Sequence, residues 1–395
     1  MSADTFTGSM ARGAFLKTGL AAGMAVVGST ALVDSIVASA AARGLRKKNL
    51  VIGWTPPDVT GVFKTATNYF QISAHQFRKA GLNVQVVTQS LAVHTQFARQ
   101  VDILENFIQR KVDAIAISPA DVPPIIPALK RANAAGIPVI VVNLLEPIKG
   151  VRVACYVGFD NTEAAEVSAY ATLNYFGGPG PLHSKWGGNT IVRPAPEVHL
   201  DLAWWRKLYA SVKPGDPKIH GKVAVIEGIA GTFFSVKRVQ GFHHVVDKFP
   251  GVKIVADLPA DWNRAKGTAA AENILSAHPD LDAIWAASNE MGLGAMNVVS
   301  ANAKQNQIKV LTNDGTPESV QRIREGKLLA ETWHGFPEWG WYGGAYAVMA
   351  ALGEAPPHIF NIDPRTEYAG NADQFYPHPH LRAIDFKAIV AHATK

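Results

Sequence analysis

From residue 49 onward the chain alternates short, unbroken apolar runs with longer stretches of helical spacing. Leu50-Val-Ile-Gly-Trp54, Val84-Gln-Val-Val87, Ala114-Ile-Ala-Ile-Ser118 and Pro138-Val-Ile-Val-Val-Asn143 have strand length. None of the four alternates apolar with polar, as expected of strands whose two faces are both covered by helices. Between them, Lys64 to Ala80 places Phe70, Ala74 and Phe77 on one helical face. A second helix runs through Phe97, Val101, Leu104 and Ile108, and a third from about Val122 to Ala135. Val153-Ala-Cys-Tyr-Val157 reads as a further buried strand, in which Cys155 is a core thiol rather than a nucleophile.

This is a βαβ series and predicts a parallel, doubly wound sheet. The rhythm then restarts, with Lys222–Ile226, Val252–Val255, Ala283–Ala286 and Ile308–Leu311 as strands separated by helical segments. Two runs of one architecture predict two similar lobes. Between the runs, residues 177–217 are rich in Gly, Pro and Trp, and read as an insertion with one short helix. In an open α/β sheet, ligands bind beyond the carboxyl ends of the strands. The residues to watch are therefore Trp54, Ser118, Asn143, Phe159, Ile229, Trp262, Ser288 and Asp314.

Composition narrows the class. The 395 residues exceed one ordinary domain, and 48% hydrophobic against 18% charged residues describes a folded chain. The net charge of +6 raises nucleic acid as a partner. However, the basic residues are scattered and no recognition motif accompanies them, so no nucleic acid is expected. With Cys155 as the sole cysteine, no intrachain disulfide is possible. Near the N-terminus, Arg12 and Lys17 precede an apolar stretch from Gly19 to Val33, followed by Ala38-Ser-Ala40. That order is the order of an export signal over residues 1–42, with a periplasmic destination. The Phe15-Leu-Lys17 context is twin-arginine-like, although Gly13 stands in place of the second arginine.

Several motifs then fall into register. Gly228-Ile-Ala-Gly-Thr232 with Arg238 and Gly241-Phe242, Pro259-Ala-Asp-Trp-Asn-Arg264, Ala277-His-Pro-Asp280 with Asn289-Glu-Met291, and Asn313-Asp-Gly-Thr-Pro317 follow one another within about ninety residues. In order and spacing the chain resembles the ribose-type periplasmic solute-binding proteins of carbohydrate ABC importers, over roughly residues 49 to 355. The resemblance implies the type I periplasmic binding protein architecture, two α/β lobes joined by a hinge that close over a sugar or polyol. It implies a monomer that delivers this ligand to a membrane permease, without cofactor or metal. It implies lobes of residues 49–159, with about 335–362 returning to the first, and 160–334, with residues 363–395 unassigned.

Residue by residue, Arg238 matches the family's hydroxyl-binding arginine, Asp314 its carboxylate and Trp262 its aromatic wall. Asn143 stands where an aspartate is usual, Ser288 where ribose binders carry asparagine, and Phe159 where they carry a small polar residue. The loop from Pro56 to Phe63 is longer and of different composition, and these departures point away from ribose itself. Each assignment has a plain structural alternative: Arg238 as a helix-surface charge, Asp314 as a turn or N-cap, Trp262 as core. Trp54 and His334 are placed at the rim, with Ile229 beside the cleft. Trp285 reads as core, and Trp333, Trp339 and Trp341 as either hinge packing or a cap on the cleft.

Other chemistry finds little support in the sequence. His243-His244 are adjacent on a helix and point about 100° apart, which disfavours a shared ion, and His378-Pro-His380 lacks a partner ligand. There is no G-x-G-x-x-G after a strand, no phosphate-cradling G-x-x-x-x-G-K-[ST] and no G-x-S-x-G. An enzyme is therefore not expected. A ligand sensor for a chemoreceptor or kinase, or a binder of a non-carbohydrate molecule, stands as the alternative.

Overall fold

A computed structural model describes residues 49–377 and 379–393. The export-signal reading and His378 of the His-Pro-His pair lie outside the described residues. The first sheet holds β1 (Asn49–Thr55), β2 (Asn83–Thr88), β3 (Ala114–Ile117), β4 (Val139–Val142), β5 (Cys155–Gly158) and a late strand, β11 (Ile359–Asn361). Its order is β11-β5-β4-β3-β1-β2, and every pairing is parallel. β3 and β4 are buried at every position, which explains their unbroken apolar runs. Cys155 is buried within β5, and burial pushes its thiol up to about 12.

α1 (Gly61–Lys79) buries Phe63, Ala66, Phe70, Ala74 and Phe77, the i, i+3, i+4 stripe of a helix lying on a sheet. α2 (Phe97–Gln109) and α3 (Ile126–Ala134) cover the opposite face with Leu104, Phe107, Ala128 and Leu129. The second sheet holds β6 (Gly221–Glu227), β7 (Val252–Pro259), β8 (Ala283–Ala286), β9 (Lys309–Asp314), β10 (Ala330–Trp333) and β12 (Arg365–Tyr368). Its order is β12-β10-β9-β8-β6-β7, and only β12 runs antiparallel to its neighbour. The helices of this lobe are α4 (Asn161–Tyr175), α6 (Phe233–Val246), α7 (Arg264–Ala277), α8 (Asn289–Ala301) and α9 (Pro317–Arg324). Trp285 is core, its ring stacked on Phe242 at 4.2 Å.

The segment 177–217 folds against the second lobe. It carries α5 (Leu202–Tyr209), capped by Asp201, whose carboxylate accepts from Trp204 N–H at 2.9 Å. Trp205 anchors it, fully buried and donating to Thr366 Oγ1 at 2.8 Å.

The chain leaves the first lobe after β5, at Phe159-Asp160, and Asp160 caps α4 by accepting from the N–H groups of Thr162 and Glu163. It returns at His334-Gly335 into α10 (Phe336–Ala351), where Gly335 adopts φ 75°. α10 packs so closely on α1 that a Cβ on Gly340 would lie 2.0 Å from the Ala66 carbonyl oxygen. A third passage joins β11 to β12. A fourth follows: Phe375 and Tyr376 pack on Trp333 at 4.9 and 5.3 Å in the second lobe, and Arg324 donates to the Tyr376 carbonyl. The chain then reappears on the first lobe, where Arg382 N–H donates to the Tyr342 hydroxyl at 2.7 Å. There α11 (Phe386–Ala393) sets Phe386 edge-on against Phe77.

Candidate functional site

Between the lobes, beyond the C-terminal ends of both sheets, lies a cavity lined by Asn143 from the first lobe and by Arg238, Trp262, Ser288 and Asp314 from the second. The lobes meet beside it. Phe233 N–H donates to Asp121 Oδ1 at 3.2 Å, and Phe234 packs into the hydrophobic cluster of the first lobe.

The polar end is built at the end of β9, the second turn of α6 and the start of α8. Asp314 ends β9 at φ 106°, a strained conformation for a residue with a side chain, and Gly315 follows. Thr316, not Asp314, caps α9, so Asp314 is free for other partners. Its Oδ2 accepts from Asn289 N–H at 3.0 Å, and its Oδ1 accepts from Arg238 Nη1 at 3.2 Å. Burial alone raises the carboxyl's pKa, but His334, Arg238 and the Asn289 amide outweigh it and hold it below its ordinary value.

Arg238 is buried on α6, which overturns its reading as a surface charge. Nε donates to Asn161 Oδ1 at 3.0 Å, and Nη1 also to the Ala287 carbonyl at 2.6 Å. Nη2 makes no hydrogen bond among the described residues, and Arg238 lines the cavity. Trp262, at φ 60°, lays its indole 5.2 Å from the guanidinium carbon. It fits because residue 228 is glycine: a Cβ there would lie 2.0 Å from the ring. Ser288 stands at the N-cap position of α8 without bonding the helix, and its Oγ has no partner. Opposite, Asn143 ends β4 at φ 68°, with its Oδ1 buried and unpartnered. A cluster of unsatisfied polar atoms at a cleft is what a polar ligand would complete.

Four of the nine expected residues are absent from the lining. Trp54 is not at the rim: it is fully buried, stacked 5.0 Å from Phe70 and donating to Thr67 Oγ1 at 2.9 Å. β1 continues through Thr55, so residue 54 faces α1 rather than the cleft. His334 is not at the rim either but lies fully buried, with Nδ1 3.1 Å from Asp314 Oδ1 outside hydrogen-bond geometry. Burial and then Arg238 push its pKa down to about 4, so at neutral pH it is an uncharged support beneath the carboxylate. Phe159 lies tilted 4.1 Å from that imidazole, and 5.9 Å from the Arg238 guanidinium carbon, outside the lining. Ile229 lies outside the lining, its carbonyl accepting from Thr232.

Sequence reasoning missed the wall formed by Phe63, Phe336 and Trp339. The unusual loop before Phe63 was its one signal, and the open choice for Trp339 resolves in favour of the cavity. It also missed charged residues at the mouth that are occupied by each other. Asp58 pairs with His94 at 2.6 Å, and Glu290 meets Arg264 at 2.9 and 3.0 Å. Among the described residues no group of three or more His, Cys, Asp or Glu is placed to hold a metal ion.

Beneath the site, Glu331 and Glu367 face each other across β10 and β12, both buried. Glu331 Oε2 accepts from Gly315 N–H at 3.0 Å, bracing the turn that presents Asp314, whereas both Glu367 oxygens lack a partner. Burial, then Asp314, pushes Glu331 up to about 8; burial, then Glu331, pushes Glu367 far up as well. The folded chain thus holds protons here that an unfolded chain, titrating near 4.5, has lost. This contribution is complete at low pH and disappears as pH rises through about 8. His334 acts in the opposite sense, but only between 6.5 and about 4. The thermal midpoint should therefore rise as pH falls from about 8 to 6.5, and Glu367→Gln should flatten that slope. A wild-type midpoint that is level across this window would contradict the account.

Similarity to known proteins bears on the same cavity. The chain is 28% identical over 307 residues to the D-ribose/D-allose-binding protein of Pseudomonas aeruginosa, covering 76% of this chain and 84% of that one. It is 27% identical over 253 residues to the ribose import binding protein of Bacillus subtilis, covering 64% and 66%. Among solved structures, an ABC transporter periplasmic solute-binding protein from Actinobacillus succinogenes with bound D-allose aligns with a TM-score of 0.67 at 22% identity, over 83% of this chain and all, 100%, of that one. One from Bacillus halodurans with bound myo-inositol aligns with a TM-score of 0.64 at 21% identity, over 83% and 97%. These alignments match the two-lobed α/β fold. The periplasmic binding protein domain matches residues 52–355, most of the chain, and the protein belongs to the periplasmic binding protein family.

Proposed function

We propose that this chain is the substrate-binding component of an ABC importer, capturing a sugar or polyol between its lobes and handing it to a membrane permease. The observation that carries this reading is the convergence of Asn143, Arg238, Ser288 and Asp314 from the two lobes on one interlobe cavity with Trp262 as wall. A polyol hydroxyl both donates and accepts. A planar guanidinium beside a carboxylate, an amide and a hydroxyl can satisfy several such groups together. The indole presents a flat apolar face to the C–H surface of a ring.

Because the site draws on both lobes, a ligand binds their closed arrangement more tightly than an open one and shifts the population toward it. A permease that reads the closed form would then receive only loaded protein. Periplasmic residence and a monomeric state complete the proposal, and no catalytic step is part of it.

The test is thermal unfolding of the chain from Arg43 onward against aldoses, ketoses, polyols, sugar acids and amino acids. A ligand at a hundred times its dissociation constant stabilises the fold by about 2.7 kcal/mol, which moves the midpoint by a few degrees. One stereochemically selective sugar or polyol is expected. A well-folded protein that responds to none of them would refute the carbohydrate reading.

A further inference from the structure

Taking the carbohydrate reading as its basis, we infer that the ligand is a partly deoxygenated or alkylated sugar or polyol, with a short run of hydroxyls at one end and an apolar remainder. The cavity is divided chemically. Its polar end offers Arg238 Nη2 as a donor, Asn143 Oδ1 as an acceptor, Ser288 Oγ as either, and the Asp314 carboxylate. Thr60, on the exposed side of the cavity, adds one further hydroxyl.

The charged side chains that line the rest of the cavity are paired within the protein, although their carboxylate oxygens keep further acceptor capacity. Asp58 and His94 hold each other at 2.6 Å, and both Glu290 oxygens accept from Arg264. Beside them stands an aromatic wall. Phe336 lies 4.1 Å from Trp339, and Phe63 lies 6.1 Å from Phe336 and 6.2 Å from Trp339, centroid to centroid. Val62 and Phe234 extend this surface. Among the described residues, its unpartnered buried polar atom is Trp339 Nε1, a donor only. It can meet an ether oxygen but cannot take the proton of a hydroxyl.

A hydroxyl directed at the rings of this wall leaves water and meets no acceptor on them, whereas a methyl or methylene in the same place gains apolar contact. An apolar pocket discriminates against an added hydroxyl by up to about a hundredfold. The sequence departure at Ser288 has the same sense: it stands where the resemblance expects a longer hydrogen-bonding side chain.

Matched pairs test the inference by isothermal titration calorimetry on the intact folded chain. Suitable pairs are D-galactose with D-fucose, D-glucose with its 6-deoxy counterpart, D-ribose with 5-deoxy-D-ribose, and each parent with its methyl glycoside. In the pair that binds, the deoxygenated or methylated member should be tighter by about tenfold or more. Equal affinities, or a tighter parent, would overturn the inference while leaving a sugar-binding protein. No binding by any member to folded protein would overturn the carbohydrate reading and this inference with it.

Discussion

Replacing Arg238 with alanine is expected to weaken ligand binding by about 2 to 5 kcal/mol, the range found when one partner of a buried charged contact is removed. The side chain holds three neighbours at once: Asn161 Oδ1, the Ala287 carbonyl and Asp314 Oδ1. That leaves Nη2 as the donor available to a ligand. Truncation removes this donor and leaves Asp314 less compensated in a buried place, so the affinity loss exceeds that of a single neutral hydrogen bond. Lysine is not expected to rescue it, because an ammonium cannot reproduce the planar fork that bridges α6 to α4, to the turn between β8 and α8, and to β9. Titration calorimetry on folded Arg238→Ala and Arg238→Lys decides the matter. Wild-type affinity in either would remove Arg238 from the site.

Gly228→Ala is expected to cost about 2 kcal/mol or more of binding, roughly thirtyfold, although glycine 228 touches no ligand in this account. The added methyl would overlap the indole of Trp262, with 2.0 Å to the nearest ring atom, so the ring must leave its seat against Arg238. Trp262 sits in a half-buried loop at φ 60° and can swing away without dismantling the sheet. The lobe should therefore stay folded while the apolar wall is lost. Trp262→Ala should show the same loss, and Gly228→Ala added to it should then cost almost nothing more. Additive losses, or full affinity in Gly228→Ala alone, would mean that the indole is not the wall.

The strands of both sheets could be read from the sequence because helices cover both faces, so each appears as an apolar run. The strand-end rule then pointed to Asn143, Trp262, Ser288 and Asp314, and the motif register to Arg238. What escaped was decided by packing at long range. Ala330-Glu-Thr-Trp333 and Arg365-Thr-Glu-Tyr368 do not read as buried strands, because each carries a glutamate within the run, and the two lie opposite each other in the pair. Trp54 and His334 lie near strand ends in sequence, yet helices α1 and α10 close over them. Whether an aromatic residue near a crossover lines a cavity or fills a core depends on where a helix some 270 residues away settles, as Phe63 and Trp339 show.

The fourth passage of the chain between the lobes acts as a leash of fixed length. Tyr376 is fastened to the second lobe by Trp333 and Arg324, and Arg382 to the first by Tyr342 and Trp341. The short stretch between these fastenings can reach about 20 Å when fully drawn out, at roughly 3.3–3.6 Å per residue. The lobes can gape at this edge only until the slack is gone, after which further opening must peel away one fastening. The separation of these two fastenings is thereby bounded. Each lobe remains within reach of the other's half of the site, as a short linker keeps two binding partners at high local concentration.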